Sequence, residues 1–98
     1  VDEKERASAR LHAVVHGRVQ GVSFRYYAAR KARSLGLTGW VANRADGSVE
    51  TVGEGRRAEL EEFNSFLHQG PPAAAVEKVV ARWESATGEY GDFGVRYI

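Results

Sequence analysis

A chain of 98 residues with 14 basic and 13 acidic side chains, a net charge of +1 and no cysteine is narrow in what it allows. The length suits one domain that buries roughly 60 to 70 % of the surface its unfolded form exposes. The balanced charge excludes the broad basic field of a general nucleic-acid or membrane-surface binder, and the missing cysteines exclude a disulfide framework, a thiolate nucleophile and a zinc knuckle.

The opening Val1-Asp2-Glu3-Lys4-Glu5-Arg6 is mixed in charge, without the apolar run of a signal segment, and nowhere do enough apolar residues run together to span a bilayer. This composition predicts a cytoplasmic protein with no membrane association, a frayed segment over residues 1–9 and a single domain over 10–98. Leu11, Ala13 and Val15 alternate with His12, Val14 and His16, the period of a strand ending at Gly17. From Phe24 the apolar positions shift to Phe24, Ala28, Ala32 and Leu35, one face of a helix, with Gly36 placed for a left-handed C-cap. The runs 39–43 and 48–52 flank Arg44-Ala45-Asp46-Gly47, whose Asp-Gly pair predicts a hairpin. A second helix follows over Glu59 to Leu67, with Leu60, Phe63 and Leu67 on one face, Phe66 beside them, and Gly70-Pro71-Pro72 to stop it. The last strands are predicted over 77–84 and 93–98, joined by a polar link around Thr87 to Asp92. The order βαββαββ predicts an α+β fold, the ferredoxin-like two-layer α/β sandwich, with an antiparallel-rich sheet and both helices on one face.

Two segments stand out chemically. Between the first strand and the first helix runs Gly17-Arg18-Val19-Gln20-Gly21-Val22-Ser23-Phe24-Arg25. Glycines let successive N–H groups turn toward one point, a helix N-terminus adds partial positive charge, and a guanidinium on the first turn grips two oxygens side by side. These are the parts of an anion site, and a phosphate-like group is its natural guest. The second segment is Gly39-Trp40-Val41-Ala42-Asn43, then Asp46-Gly47-Ser48-Val49 and Gly53-Glu54-Gly55. It puts Asn43 at the end of a strand, where its amide has an acceptor and two donors with which to orient a water.

Together these segments resemble the two signatures of the acylphosphatase family, small metal-independent hydrolases of carboxyl-phosphate anhydrides. The Gly-x-Val-Gln-Gly-Val-x-Phe-Arg core is intact over Gly17 to Arg25, and Gly39, Asn43, Gly47, Val49, Gly53 and Gly55 keep step with the second signature. The resemblance runs from about Arg10 to Ile98, and two long motifs in the right order are far more specific than one glycine-rich loop. It implies that Arg25 is the catalytic arginine, that the backbone from Gly17 through Arg18, Val19, Gln20 and Gly21 to Val22 cradles the phosphate, and that Asn43 orients the attacking water. It also implies an acyl phosphate and inorganic phosphate as small-molecule partners, no metal, no cofactor and a monomer. No side chain in either motif is a convincing strong base. An acyl phosphate has a good carboxylate leaving group, so water placement and charge neutralisation can carry much of the catalysis.

Blander roles suit the other candidates. His12 and His16 lie about 13 Å apart on an extended strand and cannot chelate one ion, and His68 falls late in the second helix. Ser23 has no partners at triad spacing and reads as a helix cap. Arg44, Arg56 and Arg57 decorate a rim or a helix start, while Trp40 and Trp83 read as core or sheet-face aromatics. Two competing readings remain. One is an RNA-binding module on the same sandwich, which needs exposed aromatics on the central strands and a basic surface. The other is the acylphosphatase-like domain of a larger carbamoyl-phosphate-processing protein, whose cysteine-rich zinc segments have no counterpart here, so an independent domain is expected.

Overall fold

The computed structural model describes residues 8–98. Its elements are β1 (Ser8–Arg18), α1 (Phe24–Ser34), β2 (Thr38–Asn43), β3 (Val49–Arg56), α2 (Arg57–Gln69), β4 (Ala75–Ser85) and β5 (Phe93–Tyr97). The predicted order βαββαββ is therefore present. Of the segment expected to fray, residues 1–7 lie outside the described residues, whereas Ser8 and Ala9 already pair with Arg56 and Gly55 of β3. Among the described residues no helix is long and apolar enough to cross a membrane.

The five strands form one sheet in the order β4-β1-β3-β2-β5. β1 runs antiparallel to both β3 and β4, β2 runs antiparallel to β3, and only the β2–β5 pair is parallel. Each helix thus bridges two parallel strands that have a third strand inserted between them, the split form of a βαβ unit. Strand alternation decides the faces. Leu11, Ala13 and Val15 are fully buried and look toward the helices, as do their partners Val49 and Thr51. Arg10, His12, Val14 and His16 consequently face the open side.

Both helices cover the apolar face. Phe24, Ala28 and Ala32 of α1 and Leu60, Phe63 and Leu67 of α2 are buried in one core with the odd positions of β1. Phe63 meets Phe93 of β5 edge to face, with ring centroids 5.7 Å apart. α1 ends as its sequence predicts: Gly36 has φ +71°, its N–H bonds the carbonyl of Arg33, and the N–H of Leu37 bonds that of Ala32. These two bonds make a Schellman cap, closed by the buried side chains of Ala32 and Leu37.

β3 departs most from expectation. The predicted strand stops near residue 52, but β3 continues through Gly53 and Gly55 and passes directly into α2 at Arg57. The glycines serve packing here instead of ending the strand. A Cβ on Gly55 would stand 2.6 Å from Cδ2 of Leu37, so glycine leaves room for that buried side chain, and a larger residue would push it aside.

The link from β4 to β5 joins opposite edges of the sheet and is fastened from beneath by Glu54, whose side chain is 4 % exposed. Glu54 accepts bonds from the N–H of Thr87 and the N–H of Gly88, each at 2.9 Å, and pairs with Arg10 at 2.7 Å. Burial pushes this carboxyl up. The Thr87 N–H, the Arg10 guanidinium, the Gly88 N–H and the Thr87 hydroxyl outweigh burial and bring it down to about 2.

Candidate active site

The end of the sheet opposite Glu54 gathers the C-terminal ends of β1, β2 and β5 around the N-terminus of α1. A cleft of about 470 Å³ lies there, lined by Val19, Gly21, Ser23, Phe24, Arg25, Tyr26, Asn43, Val95 and Tyr97. Arg25 and Asn43, 18 residues apart in sequence and on different elements, share one cavity.

Local sequence explains how each wall is placed. β1 runs on to Arg18, one residue past its predicted end, and shifts register by a bulge between His16 and Gly17. Gly17 has φ +126°, and a Cβ there would lie 2.3 Å from the carbonyl oxygen of Ala75 in β4. Its role in the structure is to let β4 close against the strand end, and it does not line the cleft. Val19 and Val22 anchor the loop in the core, at 1 % and 9 % exposure. Arg18 points to solvent. Gln20 turns away from the cavity, and its Nε2 donates to the carbonyls of Arg44 at 2.7 Å and Ser48 at 3.0 Å. That amide ties the loop to the hairpin that carries Asn43. Of the loop residues proposed from sequence as a cradle, Val19 and Gly21 thus border the cleft, Gly17, Gln20 and Val22 fix the loop through their packing and side-chain bonds, and Arg18 is exposed.

The helix entry is unusual. Ser23 occupies the N-cap position in a left-handed conformation, φ 63°, ψ 26°, and its side chain makes no capping bond, contrary to the cap role read from sequence. It is the one non-glycine residue with positive φ among the described residues. Strained backbone of this kind persists where surrounding structure over-determines it, and here it lies between buried Val22 and Phe24. The first intrahelical bond runs from the N–H of Tyr27 to the carbonyl of Ser23, so the N–H groups of Phe24, Arg25 and Tyr26 have no acceptor inside the helix. With no acidic residue in its first turn, α1 presents these donors and its positive end to the cleft.

Asn43 is the last residue of β2 and pairs with Val49 on one side and Tyr97 on the other. The hairpin beyond it is braced by Asp46, whose Oδ1 accepts from both the N–H of Ser48, at 3.0 Å, and its hydroxyl, at 2.5 Å. The Ser48 hydroxyl and N–H hold the Asp46 carboxyl below its usual value.

Three lining residues, Tyr26, Val95 and Tyr97, had no role in the sequence reading. The signal for two of them was present, since Phe93, Val95 and Tyr97 alternate like a half-buried strand, but only the parallel pairing of β5 with β2 brings that strand to the site. Apart from Ser23, several residues given blander roles lie elsewhere. His12 Nε2 sits 2.6 Å from Glu50 Oε2 on the open face, and His68 contacts the Asn64 carbonyl within α2. Arg57 covers Trp83, its guanidinium carbon 3.5 Å from the ring centroid. Trp40 donates to the Tyr90 hydroxyl at 3.2 Å on the open face.

A helix N-terminus with unpaired donors, an arginine beside it and an asparagine lining the same cleft are groups suited to an oxyanion, carried on a ferredoxin-like sandwich. Comparison with known proteins makes the class specific. The family model described as Acylphosphatase matches residues 11–95. An acylphosphatase of Pelotomaculum thermopropionicum is 47 % identical over 89 residues, which cover 91 % of this chain and 97 % of that relative. The crystal structure of acylphosphatase from Bacillus subtilis superposes with a TM-score of 0.87 at 34 % identity, covering 91 % of this chain and 99 % of that one. Full-length HypF contains a similar unit, with a TM-score of 0.82 at 27 % identity, covering 91 % of this chain and 12 % of that one. The chain belongs to the acylphosphatase family. It is a hydrolase of acyl phosphates.

Proposed function

We propose that this hydrolysis proceeds by in-line attack of water on phosphorus without a metal ion, with Arg25 and the N–H groups of the loop and first helical turn holding the phosphoryl oxygens and Asn43 orienting the water. The cohabitation of Arg25 and Asn43 in one cleft with the open end of α1 is the observation that carries this reading. The guanidinium and amides neutralise the equatorial oxygens as charge develops, and the Asn43 amide accepts from the water while its N–H group steers toward a bound oxygen. The departing carboxylate is a weak base and leaves without a general acid. Each positioned donor of this kind is worth about 3 to 4 kcal/mol of barrier.

Absence of cysteine supports a cytoplasmic setting. The open-face positions of the central strands carry Arg10, His12, Val14 and His16 on β1 and Glu50, Val52 and Glu54 on β3, without a phenylalanine, tyrosine or tryptophan among them. That argues against an RNA-binding sheet.

The test is hydrolysis of an aromatic acyl phosphate in water enriched in the heavy oxygen isotope, with chelator present. The reading expects full activity and label in inorganic phosphate. Label in the carboxylate would mean attack on the acyl carbon, and loss of activity with chelator would mean a required metal; either result overturns the mechanism.

A further inference from the structure

We infer that Tyr97 is a positioning residue for Arg25, an inference that rests on the proposed role of Arg25 in phosphoryl binding. Tyr97 lies at the C-terminal end of β5, directly paired with Asn43 of β2. Its ring reaches across the cleft mouth to the guanidinium of Arg25, whose carbon lies 5.3 Å from the ring centroid. One side chain therefore neighbours both groups assigned to the chemistry.

The choice of an aromatic face has a chemical reason. Five arginines here are held by acids: Arg10 by Glu54, Arg44 by Glu50 and Asp46, Arg56 by Glu59, Arg57 by Glu61 and Arg82 by Glu84. Arg25, like Arg18, Arg30, Arg33 and Arg96, makes no ion pair among the described residues, and of these Arg25 alone lines the cleft. A carboxylate would occupy the in-plane N–H groups and cancel the charge that a phosphoryl group needs. A ring set against the guanidinium restrains the long side chain while leaving its N–H groups and the full positive charge free. The helix supplies the complementary constraint. Arg33, two turns further along α1, donates from Nε to the carbonyl of Phe93 at 2.9 Å, so α1 is pinned to the start of β5 as Arg25 meets its end. Tyr97 is 85 % exposed, so the ring is not there to fill the core.

The experiment compares wild type with Tyr97→Phe, Tyr97→Ala and Tyr97→Glu, reading inhibition by inorganic phosphate and kcat and KM for acetyl phosphate and an aromatic acyl phosphate. Thermal melting of each variant confirms the fold. Phosphate should inhibit the Phe variant as it does wild type. Its inhibition constant should rise about fivefold in the Ala variant, the scale of one cation–π contact, and further in the Glu variant, where a carboxylate competes for the guanidinium. KM should rise alike for both substrates. A phosphate constant within twofold of wild type in Tyr97→Ala overturns the inference, as does a Phe variant as weak as Ala, which would assign the effect to the hydroxyl. A KM rise confined to the aromatic substrate overturns it too, because it would make Tyr97 a contact for the acyl group. If wild type hydrolyses both substrates while one of these results is found, only the role of Tyr97 falls; if wild type hydrolyses neither, the functional reading falls first.

Discussion

Gln20 faces away from the cleft, and its side-chain amide is the tie between the two motifs. Replacing it with alanine removes the bonds from Nε2 to the carbonyls of Arg44 and Ser48. Neither carbonyl is then orphaned, because Arg44 still accepts from the N–H of Gly47 at 3.2 Å and Ser48 from the N–H of Arg44 at 2.9 Å. The cost is thus two net hydrogen bonds, about 1 kcal/mol each, without the larger penalty of an unpaired buried group. Gln20→Ala should lower the unfolding free energy by about 2 kcal/mol in urea titration. Catalysis should suffer more, since loosening the loop relative to Asn43 by about 1 Å can cost a hundredfold in rate; kcat should fall at least tenfold. Gln20→Glu is the sharper test. It keeps the shape but turns a carboxylate oxygen toward two carbonyls, so it should be less stable than the alanine variant at neutral pH and regain stability as the carboxyl is protonated. A Glu variant as stable and active as wild type would refute the argument that the amide works as a donor.

Further consequences concern the rest of the frame. Glu54 is held at about 2, against an ordinary 4.5, and each tenfold in proton affinity is worth about 1.4 kcal/mol. Because the folded state depresses this value, the contribution, on the order of 3 kcal/mol, is fully present above the ordinary value and disappears as pH falls toward about 2. The difference in unfolding free energy between wild type and Glu54→Gln should shrink across that window; a difference that stays constant from neutral to strongly acid pH contradicts the bonding described. Since Glu54 lies at the far end of the sheet, kcat at neutral pH should change less than twofold in folded Glu54→Gln. Gly17→Ala would put a Cβ 2.3 Å from the Ala75 carbonyl and 2.7 Å from the Glu77 nitrogen, at a φ that favours glycine. It should cost on the order of 3 kcal/mol in thermal or urea unfolding, and a variant as stable as wild type would show that β4 can move away freely.

β1 and the two helices were legible because each buries one face in a regular period: Leu11, Ala13 and Val15 at every second residue, Phe24, Ala28 and Ala32 or Leu60, Phe63 and Leu67 at helical spacing. Gly36 was legible because a left-handed residue after an apolar helical run has few other meanings. Gly55 was not, since a strand glycine can end a strand or admit a neighbour, and only the position of Leu37 decides. Arg25 and Asn43 could be named from motif spacing. The contribution of β5 could not, because the parallel pairing of β2 with β5 depends on how the link fastened by Glu54 crosses the sheet. Ser23 was misjudged for a related reason. Serine before a helix usually caps it, whereas here buried neighbours on both sides impose a conformation in which its hydroxyl caps nothing.

The claim that Arg25 holds the phosphoryl group in the transition state is tested most directly by kcat/KM of Arg25→Ala on an aromatic acyl phosphate, with chelator present and folding verified by thermal melting. The account predicts a fall of at least a hundred- to thousandfold, the size of losing a positioned oxyanion donor, together with loss of inhibition by inorganic phosphate. A folded variant that keeps activity within tenfold of wild type would contradict it.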